Sequence, residues 1–382
     1  MLFRSVKAWP LFNSRSKDSP LSLTWRLQLP ASARDVLMDP AIPRRTHKLD
    51  FSGTGDNLVH FLGVFDSSPP SNLLSIRLQI YPYNDREPQE RFARLLSSPL
   101  PKLSTLNIGN FLPNPSSSVF TTSKLTSLKL FLPYNENGRY TLAQFSEILR
   151  QHPTLQKLDL NHGAIPLPGL PGTSAPVALP RLDVLRLHGT NGSILGLINL
   201  IAMSSPLHDV VIRFAYAPNF TVPDLISTME KILVEYYNRQ GPDHPRKIDS
   251  LAISFQPHNY SLTFYARSRS TPTSNLELQF VFTDEDVLRK DNAAEMTFAH
   301  FPSGDIREFS IDRLPLTHKM LWKLGGLSHL RLRNQLDQDF RRVLDALSLC
   351  NEGVSSKTTE GISNHVRIQT SPVSTPSSNS NR

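Results

Sequence analysis

Leu103-Ser-Thr-Leu106-Asn-Ile108, Leu125-Thr-Ser-Leu128-Lys-Leu130, Leu155-Gln-Lys-Leu158-Asp-Leu160 and Leu182-Asp-Val-Leu185-Arg-Leu187 repeat one phrase. It reads apolar, two variable residues, apolar, one variable, apolar. Upstream it occurs as Leu73-Leu-Ser-Ile76-Arg-Leu78. Downstream it returns as Leu207-His-Asp-Val210-Val-Ile212, Ile248-Asp-Ser-Leu251-Ala-Ile253, Ile306-Arg-Glu-Phe309-Ser-Ile311 and Leu327-Ser-His-Leu330-Arg-Leu332. The first six copies start at 73, 103, 125, 155, 182 and 207, so they lie 30, 22, 30, 27 and 25 residues apart. The fourth and sixth positions alternate and share one face of a short strand. The first position lies on the incoming turn and packs beneath them.

One such unit cannot bury its own apolar face, but units stacked side by side make a parallel sheet over a continuous core. The spacing falls near the leucine-rich-repeat period of roughly 20–29 residues. The expected fold class is therefore α/β: an irregular leucine-rich-repeat solenoid. It would be a horseshoe, with the parallel sheet on the concave side and helices and loops on the convex side.

The intervals carry the return elements. Residues 87–97 read as an amphipathic helix with Phe92, Leu95 and Leu96 on one side. Residues 141–150 open with a capping Thr141, and Leu142, Phe145, Ile148 and Leu149 follow at helical spacing. Residues 192–204, 223–237 and 335–349 read as further helices, and Thr283 with Glu285 and Asp286 as another helix start. Two strands, at 262–264 and 276–282, flank a Ser/Arg/Thr/Pro-rich stretch and read as a hairpin-like insertion or a pair of degenerate repeats. Residues 165–180 read as a Pro/Gly-rich loop. The domain plan is a lead-in at 1–20, a repeat domain of about ten repeats at 21–350 with an insertion around 256–300, and a disordered tail at 351–382. The tail holds two Ser/Thr-Pro pairs, at Ser371 and Thr375.

Composition narrows the function classes. Proline stands at 31 of 382 residues, which excludes a coiled coil or helical bundle. A single cysteine, Cys350, excludes a disulfide framework and a multi-cysteine zinc site. No apolar run reaches the ~18 residues of a membrane span, and the N-terminus lacks a signal-peptide pattern. A cytoplasmic or nuclear setting is expected. The net charge of +8 is scattered, with no run of five basic residues, which weighs against nucleic acid. No phosphate loop, HExxH, GxSxG or CxxC occurs. The chain is therefore read as no enzyme, with no catalytic, cofactor or metal residues assigned. His162 and His188 follow successive repeat strands and are expected to be spatial neighbours.

The residues flanking the fourth and sixth positions would line the concave face. The candidate partner-binding set is Arg77, Asn107, Lys129, Lys157, Asp159, Asn161, Arg186, His188, Arg213, Arg331 and Arg333. From Arg77 through Arg213 the row leans basic, so an acidic or phosphorylated protein segment is the expected partner.

Arg15-Ser16 and Pro20-Leu21-Ser22-Leu23, with the approaches Pro-Lys-Leu103, His-Pro-Thr-Leu155 and Leu-Pro-Arg-Leu182, carry a further reading. Together with the repeat phrase they resemble fungal F-box/leucine-rich-repeat-like proteins over roughly residues 5–350. In that family such a segment follows the F-box and opens an irregular repeat domain. The resemblance implies the substrate-recognition part of an F-box-type ubiquitin ligase adaptor. The F-box itself is not found in this sequence, so a Skp-cullin-type ligase partner is expected only if that module lies upstream. The turn position that holds Asn in regular repeats is Phe111, Pro133, Gly163, Thr190, Ala215 or Gln335, which predicts irregular turns without a side-chain amide ladder. Two alternatives remain: a nucleic-acid or ribonucleoprotein binder using the basic surface, and a truncated or degenerate product acting only as a scaffold.

Overall fold

The computed structural model describes residues 19–27, 41–54, 59, 62–63, 65, 68–81, 86–133, 139–167, 175–202, 207–214, 232, 250–256, 261–267, 275–281, 306–312, 328–333 and 367–371. The chain divides into two compact units, Met1–Ser205 and Pro206–Arg382. Each is an α/β or β layer built on a mostly parallel sheet.

In the first unit seven strands follow one another in chain order, each parallel to the next. They are β1 (Leu21–Leu27), β2 (Thr46–Thr54), β3 (Ser75–Tyr81), β4 (Thr105–Gly109), β5 (Ser127–Leu132), β6 (Lys157–His162) and β8 (Val184–Gly189). Their register aligns the fourth position of every phrase: Leu23, Leu49, Ile76, Leu106, Leu128, Leu158 and Leu185 are successive partners. The sixth position forms a second row through Phe51, Leu78, Ile108, Leu130, Leu160 and Leu187. Both rows are buried. So are the first positions Leu73, Leu103, Leu125, Leu155 and Leu182.

Backbone geometry explains how each Leu of the first position gets inside. The N–H of Leu103 donates to the Leu100 carbonyl, Leu155 to His152, and Leu182 to Leu179. These are four-residue turns whose second residue is Pro101, Pro153 or Pro180, where a fixed φ suits the turn. The next residue extends the ladder beyond the strand. Leu74, Ser104, Thr126, Gln156 and Asp183 each donate their N–H to the matching carbonyl of the previous rung, at 2.8–2.9 Å.

Helices cover the apolar side. They are α1 (Ala41–Arg45), α2 (Arg86–Ser97), α3 (Ser118–Thr121), α4 (Leu142–Arg150) and α5 (Asn191–Leu200). Phe92, Leu95 and Leu96 of α2 and Phe145, Ile148 and Leu149 of α4 are buried. Thr141 caps α4 with a full capping box: its hydroxyl accepts from the Gln144 N–H, and its own N–H donates to Gln144 Oε1. The fifth helix ends earlier than the sequence suggests, because Ile201–Ala202 becomes β9 and pairs with β7 (Val177–Ala178). That short strand lies inside the stretch read as a loop.

The second unit orders its strands β10 (Asp209–Phe214), β13 (Asn275–Val281), β12 (Ser261–Arg267), β11 (Ser250–Gln256), β14 (Glu308–Asp312), β15 (His329–Arg333) and β16 (Arg367–Ser371). The strands read at 262–264 and 276–282 do pair as a hairpin, and because they join the sheet it is not parallel throughout. The pairs β11–β12 and β12–β13 are antiparallel, and the copies at 207 and 248 are not neighbours. Only residues 257–260 join β11 to β12, far too few for a parallel crossover, so a hairpin is forced. The insertion thus joins the sheet itself. Residues 367–371, inside the segment read as a disordered tail, form β16 parallel to β15; Ile368 and Thr370 are β-branched and two apart, as suits a strand at an edge. The remaining expected helices, at 223–237, 283–286 and 335–349, lie outside the described residues except for buried Ile232.

At the turn after β4 an amide link to the preceding rung does exist. Asn110, one residue before the expected position, has φ 65° and donates from Nδ2 to the Ile80 carbonyl at 2.7 Å.

Truncating one member of the fourth-position row leaves a cavity that the rungs on either side cannot close. Leu128→Ala is expected to cost about 2–5 kcal/mol in chemical denaturation, against under about 0.5 kcal/mol for Ser127→Ala. A second expectation concerns pH. His152, which accepts the turn bond from Leu155, is buried against Phe120, and burial lowers its pKa from 6.5 to about 4. The unfolded chain binds a proton that the folded chain refuses. Stability is therefore full above pH 6.5 and falls as the pH drops from there toward 4, by up to about 3 kcal/mol. Thermal unfolding of His152→Leu across that window should lack this component.

Candidate functional site

A parallel sheet normally has both faces covered and reads as a continuous apolar run. The strands of the first unit instead alternate: burial in β3 runs from half-buried Ser75 through buried Ile76 to exposed Arg77, and so on to exposed Tyr81. The face opposite the helices therefore carries polar side chains. It is the special surface of this unit.

Three register rows cross it. The central row is Asp50, Arg77, Asn107, Lys129, Asp159 and Arg186. Toward the strand starts lie Lys48, Ser75, Thr105, Ser127, Lys157 and Val184. Toward the strand ends lie Ser52, Gln79, Gly109, Phe131, Asn161 and His188. Of the sequence-derived candidates, Arg77, Asn107, Lys129, Lys157, Asp159, Asn161, Arg186 and His188 all fall on this one face. Arg213 lies in the second unit on β10, and Arg331 and Arg333 lie there on β15. Lys48, Asp50 and Phe131 were not singled out, and His162 was read only as a neighbour of His188. The first two belong to β2, whose phrase Thr46-His-Lys-Leu49-Asp-Phe51 has Thr where the others have an apolar residue. Thr46 is buried, and its hydroxyl donates to the Ile42 carbonyl at 2.7 Å, so it fills the Leu position with its polar group satisfied.

The electrostatics of the face are ordered. Its two carboxylates are the buried members. Asp159 is 5% exposed and accepts from Lys129 Nζ at 2.6 Å through Oδ2 and from Asn161 Nδ2 at 2.7 Å through Oδ1. Asp50 is 11% exposed, 4.0 Å from Arg77. The cations stand further out: Lys48, Arg77 and Arg186 are exposed, and Lys129 and Lys157 half-buried. Five cations against two sunken carboxylates make the outermost layer of this face positive. The sequence-level basic lean is thus real but smaller than the row of cations implies, because two anions sit beneath it.

At the strand ends the surface becomes aromatic. His162 has φ 53°, an uncommon backbone for a residue with a side chain. Its ring lies 4.1 Å from that of His188 and 5.6 Å, edge-on, from Phe131. The expected proximity of the two histidines is therefore seen. Burial lowers the His162 pKa.

In the second unit Arg213 is bound to Glu277, with Nε at 2.9 Å and Nη2 at 2.8 Å from one carboxylate oxygen. Tyr265, the register partner of Glu277, has its pKa raised by burial and by that carboxylate, and lowered by Arg213. Exposed Arg331 is partnered in register by Ser310, and Arg333 by Asp312.

Among the described residues no group of three or more His, Cys, Asp or Glu could hold a metal ion, and no helix is long and apolar enough to cross a membrane. Comparison of the chain with family models, curated proteins and solved structures finds no match.

Removing the Lys129 ammonium would leave Asp159 buried with one neutral donor. Lys129→Met should destabilise the fold by about 1–3 kcal/mol, while Lys157→Met, on the same strand face, should stay within about 0.5 kcal/mol. Urea denaturation of the two variants distinguishes them.

Proposed function

We propose that the chain is a non-enzymatic protein-binding module and that the polar sheet face of the first unit is its docking surface. The aligned rungs are then the spine of an irregular leucine-rich-repeat solenoid with this face on its concave side. The partner is an acidic protein segment, carrying carboxylates or phosphorylated residues. The observation that carries this reading is the wet face of a parallel sheet whose outer layer is cationic. Complementary charge sets the register and speeds the encounter. By the resemblance to F-box/leucine-rich-repeat-like proteins, the module recognises substrates for ubiquitin-dependent turnover in cytoplasm or nucleus. A nucleic acid suits the face less well, because Asp50 and Asp159 interrupt the row a phosphate backbone would track.

Arg77 and Arg186 are the exposed cations of the central row. Charge reversal at both, Arg77→Glu with Arg186→Glu, should weaken binding of a Glu-rich peptide at least tenfold in fluorescence anisotropy, read at a temperature where circular dichroism shows both proteins folded, since a carboxylate at 77 facing Asp50 also lowers the melting temperature. Equal affinity of both proteins would remove the docking reading. Retention on RNA with a steep salt dependence would favour the nucleic-acid reading instead. For the ligase half, purified Skp-type adaptor should be retained by the full-length product of the gene. No retention withdraws the ligase role and leaves the docking face.

A further inference from the structure

The docking reading leaves the rim of Phe131, His162 and His188 unexplained, and the inference drawn from it rests on that reading. Strand alternation assigns His162 to the core side, in register with Leu132. Its left-handed backbone turns the ring instead toward Phe131 and His188, which both belong to the outer face. That conformation costs roughly 1–2 kcal/mol in a residue with a Cβ. The turn does not need an imidazole. At the equivalent place two rungs earlier it is made by Asn110, the only other residue with a side chain in this conformation among those described. What His162 adds over Asn or Gly is a ring, held beside two others.

The three side chains are all half-buried, so their ring surfaces are neither sealed in the core nor fully wet. Burial keeps His162 in its neutral form at pH 7, where it behaves as a polar aromatic rather than a cation. Ring clusters of this kind gain a further ring in offset or edge-to-face contact. The row beside them is Lys129, Asp159 and Arg186. Phe131 stands two residues beyond Lys129 on its strand, and His188 two beyond Arg186, which is roughly 6.6 Å in an extended chain. An extended peptide has the same spacing between alternate residues.

We propose that Phe131, His162 and His188 form a socket for one aromatic side chain of the acidic segment, and that this residue lies two positions from the carboxylate received by Arg186. The socket fixes the position of the segment along the face, and the cations supply attraction. Specificity then needs both rows, since charge alone slides along the central row.

A phage-displayed library of random dodecapeptides panned on the purified full chain tests this. The expected consensus is Asp or Glu with Phe, Tyr or Trp two residues away. In a synthetic peptide of that consensus, replacing the aromatic residue by Ala should weaken binding roughly tenfold. Phe131→Ala should show the same loss and no longer discriminate the two peptides. His162→Gly should lose affinity while thermal unfolding stays unchanged or rises, since Gly relieves the backbone. Acidic peptides with no aromatic preference, or with proline in its place, overturn the socket and leave the docking face intact. So does unchanged affinity in both variants. Absence of any acidic consensus overturns the docking reading and the socket together.

Discussion

Everything in the first unit depends on one register. Parallel strands joined without a shift place like positions side by side, and the side-chain period of two then commits every rung to the same choice of face. A slip of one residue in β5 would send Leu128 and Leu130 outward and Ser127, Lys129 and Phe131 into the core. The backbone guards against this beyond the strands themselves. The donations from Ser104, Thr126, Gln156 and Asp183 to the preceding rung start one residue before the ladder, and all but that of Thr126 follow a turn that proline has already shaped. The register is thus set by hydrogen bonds at the turn and by burial along the strand, and the two agree.

That agreement is what allows the other face to be polar. Most parallel sheets need layers on both sides because each strand is apolar throughout. Here three apolar positions per rung, aided by the helices, close the core from one side only. The outer positions are released from packing. Their residues answer to solubility and to each other, which is why Asp159 can sink beside Lys129 and Asn161 and still be satisfied. A buried carboxylate with that many donors holds the Lys129 ammonium and the Asn161 amide in fixed places, so the face is a shaped surface and not a brush of mobile side chains.

The sequence was most legible where this single rule applied. The rows through Leu106, Leu128, Leu158 and Leu185, the capped helix at Thr141 and the neighbouring histidines all follow from spacing. Legibility failed where the phrase was altered or a different constraint took over. Thr46 hid β2, because a hydroxyl that returns to its own backbone serves as an apolar residue and no periodicity scan scores it so. In the second unit the phrase at 248 was found, but its neighbours were not, since strand order there follows connection length: the link 257–260 can only turn back. The partner rows were half visible. Cations were readable from composition, whereas the carboxylates beneath them and the turned ring of His162 depend on register and on a backbone angle.

The two faces therefore carry different kinds of information. On the inner face any large apolar residue satisfies the rule, so Leu, Ile, Val and Phe exchange along the rows with little consequence for the fold. On the outer face identity matters only where a side chain has a fixed neighbour. Ser75, Thr105 and Ser127 have little to position, while Arg77, Lys129, Asp159, Arg186 and the rim at Phe131 lie in places set by charge or ring contact. A partner that reads this surface reads those few places. The net charge of the chain is consequently a poor guide to what it binds: the two sunken carboxylates decide where the positive charge stands, and the strand ends decide what stands beside it.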